Sequence, residues 1–313
     1  MVIVSLIRLS PPPPEWGVYL DPVASIQLAE RWKKRSFPPP AFDYRGLPTS
    51  HGEPWYDFCA LGCSVIACLW PPAGEQVWET EFEGVWLDDA PGLFACFARH
   101  PSVRMEEFMR FDSAQAQRFF AGRGTLQMVD QRVAILRGVA MAFTEHWGGG
   151  ALGIIQAAEW DGPRIVELLV DTVPGYRDEA DTLAGRLLFN KLAHLCVAMI
   201  NSRSERPISR LETFPVYPDY MLPRVLRHHG ILRYESELSD AVDGRRLIPA
   251  GSHWELAIRW STVYAADQLR SDLNRLGNPV STPALDYALW HDAVLGPEAA
   301  VMGEHHRTVT MAY

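Results

Sequence analysis

Polar side chains recur beside aromatic residues in the second half of this 313-residue chain. An aromatic face can stack on a flat heterocycle, while a neighbouring carboxylate accepts hydrogen bonds along the edge of the same ring. The pattern therefore indicates a site for a planar base. On composition alone, buried aromatic rings with polar tips are the favoured alternative. The stretches are Tyr176-Arg177-Asp178, Phe189-Asn190-Lys191, Tyr217-Pro218-Asp219-Tyr220 and Asp286-Tyr287 through Trp290.

Common catalytic and metal-binding motifs do not occur in the sequence. It contains no G-x-S-x-G, H-E-x-x-H, P-loop or G-x-G-x-x-G pattern. Three of the five cysteines, Cys59, Cys63 and Cys68, lie close together, but their spacing is not that of a zinc pair. We expect them to be small buried hydrophobic residues, and the pair His228-His229 to end a helix before Gly230. No metal and no cofactor are therefore predicted.

The charge of the chain restricts its partners. The formal net charge is -9, which argues against broad binding to a nucleic-acid backbone, although a local group of cations can still hold a small anion. No apolar stretch approaches the roughly 20 residues of a membrane span, and no signal peptide is visible. We expect a cytoplasmic protein with a small-molecule nucleotide substrate and neither nucleic-acid nor membrane partners. The oligomeric state stays open.

Helical periodicity dominates the pattern of apolar residues. Helices are predicted over 22–34, 131–147, 178–201 and 252–276, the last with Ser252 and Glu255 as a capping box. Short strands are predicted near 208–217, while 58–70 is equally compatible with a buried strand or a helix. The predicted fold is mainly α, a single helical domain over 19–313 with a small β element. Residues 1–18 form a preceding Pro-rich segment.

Several blocks of the chain, from about Tyr19 to the C-terminus, resemble the queuosine salvage family. The stretch from Tyr217 to Tyr234 is similar to that family's Asp-Tyr-Arg-x-Pro, leucine helix and Gly-x-Leu-x-Tyr signature. The other matching blocks keep the family's order and spacing. They are Trp70 with Trp78, Tyr176 to Asp178, Phe189 to His194, Glu255 to Arg259, Leu285 to Trp290, and His306-Arg307-Thr308.

This resemblance implies a fold similar to helical DNA glycosylases and an N-glycosidic hydrolase acting on queuosine 5'-monophosphate or a related 7-deazapurine nucleotide. It implies that Asp219 is the catalytic nucleophile or the electrostatic partner of the sugar. An alternative for Asp219 is an N-cap of the helix that starts near Leu222. The remaining substrate contacts that it implies are Asp178 at the base edge, Tyr176, Tyr287 or Trp290 stacked on the base, Lys191, His306 and Arg307 at the phosphate, and His194 and Tyr220 in the same pocket.

The chain departs from the family pattern at several positions. The family's Asn-Phe-x-Phe-Trp is Ile66 to Trp70 here, the Arg after Asp-Tyr is Met221, and Lys-Arg-Ala-Gln is Lys191 to His194. These departures favour, as an alternative, a glycosylase acting on another nucleotide base. A second alternative is a non-catalytic protein that binds a nucleotide or base, and a third is a helical adaptor protein.

Overall fold

A computed structural model describes residues 11–40, 42, 45–100, 104–182 and 185–313. Helices account for 51% of the described residues. Thirteen α-helices and three two-stranded antiparallel sheets lie within the described residues. The predicted mainly α class with a small β element is confirmed. The likeness to DNA glycosylases and the boundary at residue 19 stay predictions. Among the described residues, no helix is long and apolar enough to cross a membrane.

The chain forms two compact units. The first contains the chain up to Pro40 with Asp178–Phe189 and Glu212–Val309, and the second contains Ala41–Arg177, Asn190–Leu211 and Thr310–Tyr313. The elements of the first unit are β1 Val18–Leu20, α1 Pro22–Trp32, β4 Glu179–Thr182, β5 Gly185–Leu188, α10 Met221–His228, β6 Leu232–Tyr234, α11 Ser236–Asp243, α12 His253–Arg275 and α13 Thr282–Val294. Those of the second are α2 Glu53–Ser64, β2 Glu79–Phe82, β3 Val85–Asp88, α3 Asp89–Ala98, α4 Met105–Phe108, α5 Ser113–Phe119, α6 Val129–His146, α7 Ala151–Ala157, α8 Gly162–Thr172 and α9 Lys191–Ser202.

The first unit is built around the long helix α12. Ser252 caps its N-terminus by accepting a hydrogen bond from the Glu255 amide, which confirms one half of the predicted capping box. The other half is wrong, because the Glu255 side chain accepts from the Gly251 amide while the Ser252 amide donates to the Pro249 carbonyl. Helix α1 packs along α12, with Leu28 and Ala29 fully buried in the shared core. Strand β1 pairs with β6, so Val18 lies opposite Tyr234. The predicted helices over 22–34 and 252–276 are confirmed within one to two residues.

Two of the predicted elements are wrong. The helix predicted over 178–201 is a hairpin of β4 and β5 followed by α9, because Asn190 adopts a positive φ of 44° that separates strand from helix. The Phe189 amide closes the hairpin by donating to the Asp178 carbonyl at 3.0 Å. No strand forms over the described segment 208–217, where proline has no amide to donate to a ladder and only Ser209 makes an isolated bridge, with Asp161.

Aromatic rings fill the core of the second unit. Phe97 and Phe119 cross edge-to-face at 4.9 Å, and Phe58 stacks on Trp55 at 5.3 Å. Helix α2 carries Phe58 and ends at Ser64, so the ambiguous segment 58–70 is helical only in its first half. The predicted helix over 131–147 is confirmed as α6, which starts two residues earlier.

A fully buried arginine fixes the chain after α2. Arg132 of α6 donates to the carbonyls of Val65, Ala67 and Cys68, with 2.6 Å between Nη2 and the Ala67 oxygen. A charged donor strengthens each of these hydrogen bonds, and burial makes an unsatisfied carbonyl costly. The Val65 carbonyl also accepts from the Ala67 amide at 3.0 Å, so the loss would fall mainly on the Ala67 and Cys68 carbonyls. The position of the segment that precedes Trp70 therefore depends on one side chain of α6.

We expect Arg132→Met to lower the free energy of unfolding by about 3 kcal/mol, because it leaves buried carbonyls without donors. The matched control is Arg137→Met, an exposed arginine on the same helix, which should stay within about 0.5 kcal/mol of the unsubstituted protein. Urea denaturation of both variants measures the difference. Equal values for the two variants would mean that the Arg132 hydrogen bonds add nothing to stability.

Candidate active site

Asp219 lies immediately before helix α10, and its side chain is only 8% exposed. Its Oδ1 accepts hydrogen bonds from the amides of Met221 at 2.7 Å and Leu222 at 3.0 Å. Oδ1 therefore caps the helix, as the structural alternative for this residue predicted. Its second oxygen, Oδ2, accepts no hydrogen bond from the residues that the structure describes. One oxygen holds the carboxylate in place while the other stays available.

The segment that carries Asp219 is fixed from two other elements. The Tyr217 amide donates to Asp286 Oδ1 of α13 at 2.6 Å. The Pro218 carbonyl accepts from Arg259 Nε of α12 at 3.0 Å. Within the segment, the Asp219 amide donates to the Tyr217 carbonyl at 2.8 Å. The peptide group that precedes Asp219 thus has a defined partner for both its carbonyl and its amide, and these hydrogen bonds help to set the direction of the Asp219 side chain.

Asp178 forms a bidentate ion pair with Arg259. Nη1 lies 2.9 Å from Oδ1, and Nη2 donates to Oδ2; the side chains are 7% and 2% exposed. The same Nη1 lies 3.3 Å from Glu255 Oε1, one turn earlier on α12. The guanidinium also lies 4.0 Å from the centre of the Phe189 ring, within the range of a cation–π interaction.

The residues at the centre of this ion-pair network are not among the site residues predicted from the sequence. Arg259, Glu255 and Asp286 all lie in blocks that resemble the family, but none was given a site function. The i,i+4 spacing of Glu255 and Arg259 was a signal for an ion pair along α12. The sequence carries no indication that Asp178, 81 residues away, completes it.

Three aromatic residues predicted to contact substrate lie in the first unit. Tyr287 and Trp290, both on α13 and partly exposed, stack with 6.0 Å between ring centres and 28° between planes. Tyr220 is 7% exposed, and its ring lies 5.0 Å from that of His305. Tyr287 and Trp290 therefore lie together on one side of α13.

His306 and Arg307, predicted at a phosphate, are both buried in the first unit. Burial, then the neighbouring His305 and Arg259 charges, lowers the pKa of His306 to about 3. His306 is therefore neutral at pH 7 and can offer a phosphate a hydrogen bond but no charge. Arg307 keeps its charge, although burial lowers its pKa, and its guanidinium lies 3.7 Å from Glu304.

The other three residues predicted to contact the substrate lie in the second unit. Lys191 is the first residue of α9 and is 6% exposed, yet its ammonium makes no hydrogen bond or ion pair with any residue that the structure describes. His194 lies on the same helix, with 9% of its surface exposed. Tyr176 has no exposed surface and donates its hydroxyl to the Ala60 carbonyl at 2.5 Å. This burial, which raises the pKa of Tyr176, does not favour a stacking role for its ring.

Metal-binding capacity is limited among the described residues. Cys59, Cys63 and Cys68 are fully buried free thiols, in agreement with their prediction as small hydrophobic residues. The group of described side chains that could hold a metal is His228, His229 and Glu298, whose ligand atoms lie within 4.8 Å of one another. His228 ends α10, whereas Asp219 precedes its first residue, so this group lies at the opposite end of that helix.

Comparison with known proteins identifies the family of the chain. A family model described as "Queuosine salvage protein" matches residues 68–313. Three similar proteins are named queuosine 5'-phosphate N-glycosylase/hydrolase. That of Sphaerobacter thermophilus is 29% identical over 310 residues, or 95% of this chain and 93% of the relative. That of Dictyostelium discoideum is 25% identical, covering 79% and 74%; that of Mus musculus is 26% identical, covering 60% and 59%.

The chain is thus a mainly helical relative of N-glycosylases, similar to one of them along nearly its whole length. It belongs to the queuosine salvage protein family, and the resemblance predicted from its sequence blocks is confirmed. The comparisons do not test the roles of individual residues, so those roles stay predictions.

The low pKa of His306 predicts an acid-sensitive fold. Between its ordinary pKa of about 6.5 and the folded-state value of about 3, the unfolded chain binds a proton that the folded chain does not. Stability due to this group is therefore constant above pH 6.5 and lost as the pH falls. We expect the free energy of unfolding to drop by about 2 kcal/mol more between pH 6.5 and 5 than it does in His306→Gln.

Urea denaturation at each pH measures this difference, with His51→Gln, at an exposed histidine, as the control. The His51 variant should follow the unsubstituted protein. Identical pH dependence in the His306 variant and the unsubstituted protein would contradict a buried neutral imidazole.

Proposed function

We propose that this protein hydrolyses the N-glycosidic bond of queuosine 5'-monophosphate or a related 7-deazapurine nucleotide, releasing the free base and ribose 5-phosphate. The proposal is supported by the name that the three relatives share and by the near full-length similarity to one of them. The observation that carries it is the geometry of Asp219.

The chemistry of the leaving base explains why a carboxylate is needed. A 7-deazapurine has carbon in place of N7, so the base cannot be activated by protonation at that position. Departure of the base then depends on stabilising the positive charge that develops on the sugar. A carboxylate below the anomeric carbon stabilises that charge directly, or attacks it as a nucleophile.

Asp219 has the properties that this role requires. The amides of Met221 and Leu222 hold Oδ1, so the carboxylate loses no orientation when substrate binds. Oδ2, which has no partner among the described residues, is the atom that we assign to the anomeric carbon.

The balance of buried charges in the first unit also suits a cationic transition state. Five buried carboxyl groups, those of Asp178, Asp219, Glu255, Asp272 and Asp286, accompany two buried guanidinium groups, those of Arg259 and Arg307. Such fixed negative charge in a site with little water stabilises a positive charge more strongly than it would in solution. We therefore assign an electrostatic contribution to the group as well as to Asp219.

We assign binding of the base to Asp178 and to the Tyr287–Trp290 pair. Because Arg259 occupies both Asp178 oxygens, Asp178 is held as an acceptor and would select N–H groups on a base edge. Tyr287 and Trp290, both half-buried, are the aromatic side chains that we assign to stacking on the base. Both assignments follow from the chemistry of these side chains together with the resemblance.

Lys191 has the properties of an anion-binding residue. A buried ammonium without a charged partner is costly, and an anionic ligand would supply that partner. Its assignment to the 5'-phosphate rests on this unmatched charge. The neutral imidazole of His306 and the Glu304 carboxylate beside Arg307 make those two residues weaker candidates for the same task.

Replacing Asp219 separates its two functions. Asp219→Asn keeps an oxygen that can cap α10 but removes the charge, so we expect kcat to fall by about 10²–10³ with stability nearly unchanged. Asp219→Ala removes the cap as well, and stability should fall by a further amount of about 1 kcal/mol. Base release is measured by mass spectrometry and stability by urea denaturation. An Asp219→Asn variant as active as the unsubstituted protein would remove this assignment.

Replacing Lys191 tests recognition of the phosphate. Lys191→Met should raise KM for the nucleotide by roughly tenfold, because it removes a charge-assisted hydrogen bond, while KM for the corresponding nucleoside changes little. Lys34→Met, at an exposed lysine, is the control and should leave both KM values unchanged. An equal rise in KM for nucleotide and nucleoside would argue against a phosphate contact.

A second candidate is the same reaction on another base. It is favoured by Ile66 and Ala67, which stand where the family has an amide and an aromatic residue. A panel of queuosine 5'-monophosphate and the common nucleoside monophosphates separates the two functions by the base that is released. Tight binding without turnover of any of them would instead indicate a binding protein.

A further inference from the structure

The guanidinium of Arg259 joins three separate parts of the first unit. It bonds Asp178 at the start of the β4–β5 hairpin, the Pro218 carbonyl before Asp219, and Glu255 on its own helix. With 2% of its surface exposed, it has no contact with bulk water that could replace these partners. The same side chain therefore holds the residue proposed at the base and the segment proposed at the sugar.

Only an arginine can make this set of contacts. Nε donates to Pro218, while the two Nη atoms face Asp178, so donors on different edges of one rigid plane are used at once. The flat face of the plane also covers the Phe189 ring at 4.0 Å. A lysine would keep the charge but concentrates its donors at one point. It could pair with Asp178 or bond Pro218, but not hold both in this geometry.

We propose that Arg259 is a positioning residue, which fixes the placement of Asp178 relative to the Asp219 segment. This inference rests on the proposed function. Arg259 acts through the Pro218 carbonyl, because this peptide directly precedes Asp219 and lies outside regular secondary structure. Without this hydrogen bond, the segment keeps its anchor to Asp286 and the cap of α10 but loses its hydrogen bond to α12. The position of Asp219 Oδ2 is then no longer fixed.

The test is the variant Arg259→Lys, which retains the positive charge needed beside Asp178 and Glu255. Because a displacement of about 1 Å can lower a rate by about a hundredfold, we expect kcat for base release to fall by roughly tenfold to a hundredfold, with a smaller change in KM. The matched control is Arg227→Lys, which alters a bidentate pair with Asp243 in the same unit. That control should leave kcat unchanged.

A second measurement does not depend on activity. The amides of Met221 and Leu222 are protected by Asp219, so their hydrogen exchange reports how firmly the segment is held. In Arg259→Lys, exchange at both amides should be faster by roughly tenfold or more, while amides in the middle of α12 keep their protection. In Arg227→Lys the Met221 and Leu222 amides should exchange at the rate of the unsubstituted protein.

The combined outcomes distinguish the inference from the proposed function. Slower turnover together with faster exchange at Met221 and Leu222 supports a positioning role. Unchanged exchange overturns the inference, whether or not kcat falls, and so does a general loss of protection along α12, which indicates a structural role alone. If the unsubstituted protein releases no base from any nucleotide, the proposed function fails, and the exchange result still decides whether Arg259 holds the segment.

Discussion

Burial of several carboxyl groups in one small region is the constraint on which the first unit depends. Asp178, Asp219, Glu255 and Asp286 are each less than 10% exposed. Removing a charged carboxylate from water is costly unless hydrogen bonds or an opposite charge replace the lost solvent. The unit provides these in different ways: a guanidinium for Asp178, helix amides for Asp219, and the Tyr217 amide for Asp286.

These partners offset the cost of burying the carboxyl groups, and they also hold the region rigid. Glu255 bonds the Gly251 amide at 3.1 Å and lies 3.3 Å from Arg259, so the start of α12 and the centre of the network are joined. Because each acid has a specific donor, few alternative arrangements of the segment 217–219 satisfy all of them. A preorganised charge of this kind is what an electrostatic mechanism requires, since no reorganisation is then needed during the reaction.

The buried groups of the second unit are satisfied in a different way. Its aromatic core and the carbonyl contacts of Arg132 satisfy most of its buried groups internally. Lys191 departs from this rule, because its buried ammonium has no acidic partner among the described residues. An unmatched charge of this kind lowers stability. The presence of this charge is explained if the missing partner is an anionic ligand, as the proposed function requires.

The sequence alone determined the helices whose ends are marked by local chemistry and the family to which the chain belongs. Caps at Asp21 and Ser252 and the stop at Gly277 lie within a few residues of the ends they define, so α1 and α12 were predictable. It also left two functions for Asp219, capping and catalysis. The capping by Oδ1 is present, and Oδ2, which accepts no hydrogen bond within the described part of the chain, leaves the catalytic function open to Asp219.

Only the tertiary structure decided how these residues are joined. The hairpin over 179–188 was predicted as helix, because its leucines also fit a helical stripe and nothing local reveals that Asn190 takes a positive φ. Glu255 was interpreted as a cap, and Arg259 received no role, since their partner Asp178 is distant in the chain. Local signals fix where an element begins and ends, but a buried charge selects its partner through the packing of the whole unit.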